Sequence, residues 1–198
     1  MKKCIIVHGW GGTAGMGWHG WLKTELESRG WEVICPQMPG KDMPNIFLWT
    51  EKLRETVGVP DENTYLVGHS IGCQTIIRYL ETIDQKIGGV VYVAPFITHI
   101  DNLLDSERAQ KYADIVKGID DDWAETPIDV AKVNSVINKN IAIFSDNDSR
   151  VKIENKEIFE KKFNSKTILL HNMNHFSPIT DNCLELPEAL DEILKLAE

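Results

Sequence analysis

A single-domain α/β fold, with about six parallel strands and helices on both faces, is the architecture the sequence predicts. Three observations predict it. Short apolar runs recur along the chain, helical periodicity follows most of them, and glycine, proline or a polar residue ends each run. Strands apolar on both sides belong in a parallel sheet, because only there are both strand faces removed from water. The 198 residues, 42% of them hydrophobic, are enough for one core and one domain over 1–198.

Taken in order, Lys3–His8 is the first strand, stopped at Gly9. Trp18–Arg29 follows as a helix with Trp18, Trp21, Leu22 and Leu26 on one side, and Gly30 closes it. Glu32–Cys35 is a second strand ended by Pro36. Asn45 is an N-cap candidate for a helix that carries Trp49, Leu53 and Val57 at i+4 spacing. Thr64–Val67 is the third strand, and Ser70–Thr82 reads as a helix apolar almost all round, hence buried. Gly89–Ala94, Asn140–Phe144 and Lys166–Leu170 complete the strands. Val151–Phe163 is the helix between the last two strands, and Pro187 opens a final amphipathic helix. The stretch 97–139 breaks the rhythm with Asp120-Asp121-Asp122 and three short helical segments. It is either a small helical cap over a site or a surface excursion.

Composition excludes several classes. The net charge of −9 argues against nucleic acid or an anionic membrane as the partner, since phosphate wants a basic face. No apolar run approaches the ~20 residues that span a bilayer. Behind Met1-Lys2-Lys3 the apolar stretch Cys4–Val7 is too short for a signal peptide, so a cytoplasmic location is expected. The four cysteines form no C-x-x-C pair and no zinc framework, and the histidines lack metalloenzyme spacing, so neither metal nor cofactor is expected.

The chemistry lies in three loops. Gly68-His69-Ser70-Ile71-Gly72 is a G-x-S-x-G pattern set between a strand and a helix, a turn that pushes the serine hydroxyl out at the sheet edge. A serine hydroxyl needs a base to become a nucleophile, and the base needs a carboxylate to orient it. In this architecture the acid and then the histidine follow the serine, each after a strand end. After strand five come Asp146 and Asp148; after strand six come His171 and His175. Asp148 is preferred, three residues before Val151 at the loop's tip, with Asp146 the alternative; His175, deeper in its loop, is preferred to His171. His8-Gly9-Trp10-Gly11-Gly12 can turn backbone N–H groups toward an oxyanion, and Trp10 and Ile71 are the candidate donors. Phe96 and Phe176, which follow strand ends, are candidates to line a pocket. Gly9–Ala14 also fits the dinucleotide pattern G-x-G-x-x-A, but Val33-Ile34-Cys35-Pro36-Gln37 lacks the acid that would hold a ribose.

These motifs together, H-G-W-G-G, G-H-S-I-G, D-x-x-V and N-H-F, resemble the α/β-hydrolase superfamily. Within it they are similar to the compact serine hydrolases related to retinoblastoma-binding protein nine. The likeness runs the whole chain, and it implies Ser70 as nucleophile, Asp148 as acid and His175 as base. One position departs: the family usually has glycine before the histidine, and here it is Asn174, which tolerates a left-handed backbone. The expected activity is that of a carboxylesterase working on small acyl esters through an acyl-enzyme, its partner a small ester or amide. The alternative is a hydrolase-fold binding protein with an idle triad.

Overall fold

The computed structural model describes residues 1–40 and 42–198. Six strands, β1 (Lys3–Val7), β2 (Glu32–Ile34), β3 (Thr64–His69), β4 (Gly89–Val93), β5 (Asn140–Ser145) and β6 (Lys166–Leu170), form one sheet in the order β2-β1-β3-β4-β5-β6. Every pairing is parallel, for example Ile5 against Leu66 and Val91 against Ile141. Chain order reverses its direction of travel beside β1, so the carboxyl ends of β1 and β3 lie together at the middle of the sheet, where ligand crevices form.

Side-chain alternation divides the core in two. Ile5, Val7, Leu66, Val90 and Tyr92 point to one face, while Cys4, Ile6, Val67, Val91 and Val93 point to the other. The first face is covered by α2 (Ile46–Val57), α3 (Ile71–Leu80) and α7 (Glu154–Lys162), the second by α1 (Trp18–Glu27) and α8 (Pro187–Leu196). Asn45 caps α2 as expected, its side chain accepting from Leu48 N at 3.1 Å. Each of the ten residues of α3 is buried, Gln74, Thr75 and Arg78 among them.

Two boundaries differ from the sequence reading for local reasons. The helix after β3 starts at Ile71, because Ser70 has φ 54° and cannot be helical. Helix α7 starts at Glu154 and not at Val151. Asp148 Oδ1 accepts the amides of Arg150 at 2.8 Å and Val151 at 3.0 Å, and this turn delays the helix.

Segment 97–139 folds into α4 (Glu107–Lys111), α5 (Ala113–Glu125) and α6 (Val130–Val136). Its second half is tied to the body. Trp123 is buried and donates from Nε1 to Pro44 O at 3.3 Å. Buried Arg78 of α3 donates to the carbonyls of Trp123, Thr126 and Pro127, placing a cation at the carboxyl end of α5, where the helix dipole favours one. Asp120, also buried, accepts from His99 Nδ1 at 2.9 Å and from Ile100 N at 3.0 Å. Among the described residues no helix is long and apolar enough to cross a membrane.

The packing of α3 on β1 gives a test by substitution. A Cβ on Gly72 would lie 2.5 Å from Val7 O and 2.7 Å from His8 O, backbone atoms that cannot step aside. Gly118, inside α5, has open space around it. Gly72→Ala should therefore lower stability by several kcal/mol, as overpacking plus backbone displacement does. Gly118→Ala should raise it by up to about 1 kcal/mol. Urea unfolding of the two variants checks both signs.

Candidate active site

The site is assembled from three loops at the carboxyl edge of the sheet. Ser70 alone joins β3 to α3, at φ 54° and ψ −122°. Such backbone costs about 1–3 kcal/mol and persists only where its surroundings hold it. Here Ser70 N donates to Val93 O at 2.9 Å, and Ser70 O accepts from Cys73 N at 2.9 Å. The flanking glycines make room, since a Cβ on Gly68 would lie 2.8 Å from Cys73 N.

From this turn the hydroxyl reaches the histidine loop. Ser70 Oγ is 2.9 Å from His175 Nε2, and His175 Nδ1 is 2.9 Å from Asp148 Oδ2 and 3.1 Å from its Oδ1. The Asp148 side chain is only 3% exposed, so its charge faces little water and is held by His175 and two backbone amides. The structure thus brings the three preferred residues into one hydrogen-bonded line. Asp146 and His171 make a separate pair, Oδ2 to Nδ1 at 2.6 Å, on the exposed flank. That pair holds the Asp146 carboxyl below its ordinary range, chiefly through the His171 hydrogen bond.

The acid and histidine loops are stitched together nearly residue by residue. Ser145 Oγ accepts from Met173 N at 3.1 Å, and Asp146 Oδ1 from Asn172 N at 2.9 Å. Asn147 Oδ1 accepts from Asn174 N at 2.8 Å, while its Nδ2 donates to Asn174 Oδ1 at 2.9 Å. Asn172, Asn174 and Phe176 all have positive φ, so the loop zigzags alongside the acid loop. Asn174, at φ 49°, occupies the left-handed conformation that its place before the histidine demands. From behind, Asp181 Oδ2 accepts His175 N at 3.0 Å, Trp18 Nε1 donates to Phe176 O at 3.0 Å, and His69 Nε2 donates to His175 O at 2.8 Å.

Three further histidines surround this line, all buried. Met38 N can only donate, so His8 Nε2 accepts from it at 3.2 Å, and His8 Nδ1–H donates to Gly9 O at 2.8 Å, fixing the glycine loop. His69 is held neutral, its pKa well below the ordinary value through burial first and the neighbouring imidazoles second. His19 packs against Trp18 and His69, donates to Met16 O at 2.9 Å, and is lowered to about 4 by burial. Sequence reasoning passed over His69, His19, Asp181 and the Asn147–Asn174 pair. His69, inside the serine motif, was the one with a local signal.

Ser70 and His175 open on a cavity of about 880 Å³, whose walls include Gly9 and Trp10, the 177–181 loop, and α4 with the start of α5. Neither Trp10 N nor Ile71 N makes a hydrogen bond among the described residues, and a Cβ at Gly9 would lie 3.4 Å from Ser70 Cβ. The aromatic expectation needs correction. Phe96 and Phe176 are fully buried in the core, on opposite sides of the sheet, and neither lines the cavity. Being next to a strand end exposes a residue only where nothing covers that end. Here Trp123 of the inserted segment shares the cluster of Phe96, and the φ of 56° at Phe176 accompanies its inward placement. On the surface of the inserted segment, exposed His99, Asp121 and Glu125 hold ligand-type atoms within 4.8 Å of one another, outside the cavity wall.

The hydrogen-bonded line from Ser70 through His175 to Asp148 stands at the carboxyl edge of a parallel sheet flanked by helices. The serine hydrolase family model matches residues 4–188, so the chain belongs to that family, and its fold is the α/β-hydrolase fold. It is 33% identical over 104 residues to the putative hydrolase YdeN of Bacillus subtilis, covering 52% of this chain and 55% of that protein. It is 31% identical over 113 residues to serine hydrolase RBBP9 of Rattus norvegicus, covering 56% and 58%. The chain thus matches a little over half the length of these curated relatives. The crystal structure of the B. subtilis ydeN product superposes with a TM-score of 0.85 over 100% of this chain and 99% of that one, at 22% identity. A methylesterase protein from Arabidopsis, MES16, does so with a TM-score of 0.65 over 100% and 98%, at 17% identity.

The buried imidazoles set an acid limit. Above pH 6.5 they are neutral in the folded and the unfolded chain, and their environment carries no proton-linked penalty. As pH falls below 6.5 the unfolded chain binds protons that His8, His19 and His69 refuse, so stability drops until the folded His19 titrates near 4. His19 alone accounts for roughly 3 kcal/mol of that drop. The melting temperature should fall by at least about 5 °C between pH 7.5 and 4.5, and by less in His19→Gln.

Proposed function

We propose that this serine hydrolase is a carboxylesterase that works through an acyl-enzyme, with Ser70 as nucleophile, His175 as base and Asp148 as the orienting acid. The observation that carries the reading is the unbroken line from Ser70 Oγ through His175 to Asp148, each contact about 2.9 Å. In the first half-reaction His175 Nε2 takes the hydroxyl proton as Ser70 Oγ bonds to the substrate carbonyl carbon. The carbonyl π electrons move to oxygen, and the amides of Trp10 and Ile71 receive that oxyanion. Their lack of partners among the described residues supports this role. His175 returns its proton to the departing alkoxide as the carbon–oxygen bond breaks. Water repeats the sequence on the acyl-enzyme, releasing the acid and restoring Ser70.

Asp148 keeps the Nδ1 proton toward itself, which leaves Nε2 free to accept, and it steadies the imidazolium that forms. An ester is favoured as substrate class because the fold is shared with a methylesterase; the likeness is one of fold. No step calls for a cofactor. A small-molecule partner suits the cavity, and a cytoplasmic, reducing setting suits four cysteines that all carry free thiols.

Intact-mass analysis after a fluorophosphonate probe tests the nucleophile. One adduct is expected on the wild-type chain and none on Ser70→Ala, whose turnover should fall by at least about 10⁴-fold. No adduct on folded wild-type protein would favour a binding protein with an idle triad.

The two acids separate cleanly. Asp148→Asn should lower kcat by about 10³–10⁴-fold, since an amide reverses the preference for the Nδ1 proton. Asp146→Asn, on the exposed flank, should change kcat less than about threefold. The opposite ranking in steady-state kinetics would move the acid to Asp146.

A further inference from the structure

We propose that the cavity beside Ser70 holds an apolar arm of the ester, seated under the first half of segment 97–139. The inference rests on the reading of Ser70 as nucleophile. It goes beyond that reading by assigning the substrate a medium-length hydrocarbon chain on its acyl or its alcohol side.

The first support is where exposed apolar side chains gather. Met43, Tyr112, Ile115 and Ile179 are each 45–63% exposed, and all four line this one cavity. They come from three separate stretches of chain: the turn before α2, the α4–α5 pair, and the loop after His175. Single exposed apolar residues are ordinary, but a cluster converging on one concavity marks a binding surface.

The second support is the divided face of α5. Ile115, Val116, Ile119 and Trp123 recur at helical spacing, the signature of one apolar stripe that continues back to Tyr112. Its far half has a partner, because Ile119 and Trp123 pack against the core. Its near half, Tyr112, Ile115 and Val116, faces the cavity instead. The anchors described above, Asp120, Trp123 and Arg78, all grip the far half. An apolar stripe finished on one half and left open on the other lacks a covering group, and Ser70 and His175 stand in the same wall.

The occupant is a small molecule on grounds of size and shape. A volume of about 880 Å³ lies within the range of small-ligand pockets, and the surface is concave, whereas a protein partner would need a broad face. Several charged groups of the wall already have partners: Arg150 pairs with Asp105 at 2.7 Å, and Asp181 accepts the amides of His175 and Ser177. They leave the apolar surface to select the ligand.

Two series of esters test this, one with the acyl chain lengthened at constant p-nitrophenol, the other with the alcohol lengthened at constant acetate. Each methylene fully buried raises kcat/KM about fourfold. From acetate to octanoate, or from methyl to hexyl acetate, at least one series should rise 30-fold or more, and the rising series locates the arm on the acyl or the alcohol side. Ile115→Asp should cut the long-to-short ratio of that series at least tenfold, with Tyr112→Asp as a second variant and Ile115→Leu restoring the ratio. Both series flat or falling, or ratios indifferent to both Asp variants, would overturn the inference while fluorophosphonate labelling of Ser70 still upheld the parent reading. Absence of labelling would remove both.

Discussion

Everything at the candidate site depends on how closely α3 approaches the end of β1. With Gly72 there, the helix can begin one residue after the strand, because no side chain stands between it and the carbonyls of Val7 and His8. The short junction forces Ser70 into its left-handed backbone and leaves its hydroxyl at the sheet edge. The same approach brings the glycine loop after β1 against the serine, so the backbone amides that would meet an oxyanion come from the two segments that this contact joins. One steric allowance therefore positions both Ser70 and the amides opposite it.

The other half of the line is built on different physics. No helix start fixes Asp148 and His175; they sit on loops, and loops are held by polar contacts. The pairs Ser145–Met173, Asp146–Asn172 and Asn147–Asn174 tie the two loops together past the point where β5 and β6 stop. A side-chain ladder of this kind transmits strand order into the position of the last pair, Asp148 and His175. It also accounts for Asn174: a glycine would give the same backbone freedom but no side chain to receive Asn147 Nδ2.

Much of this was legible in the sequence because the elements it rests on are local. Strand runs, the buried helix and the serine turn follow from patterns of a few residues, and the candidate acid and base follow from their order along the chain. What escaped was the three-dimensional partnership of polar residues. Arg78 looks like any arginine on a helix until α5 ends above it, and Asp181 like any turn former until it receives His175 N. Phe96 and Phe176 went the other way, because position after a strand says nothing about what folds over it. The second pair, Asp146–His171, shows the same limit. Both pairs satisfy the order rule, and only burial and contact with Ser70 separate them.

The imidazoles behind His175 follow from the charge that the proposed reaction must create. A proton taken from Ser70 leaves a positive ring on His175, and any cation nearby would oppose it. The contact that holds His175 O from behind is nonetheless a hydrogen-bond donor, and the common strong donors, Lys and Arg, are charged. His69 resolves this conflict: buried, it stays neutral, yet its Nε2–H donates to the carbonyl at 2.8 Å. His19, neutral as well, packs against His69 and adds bulk without charge. Lysine or arginine at position 69 would supply a donor but place its charge beside the imidazolium, whereas phenylalanine would keep neutrality and lose the donor. A buried histidine meets both demands, and the acid sensitivity of the fold is the consequence of keeping it unprotonated.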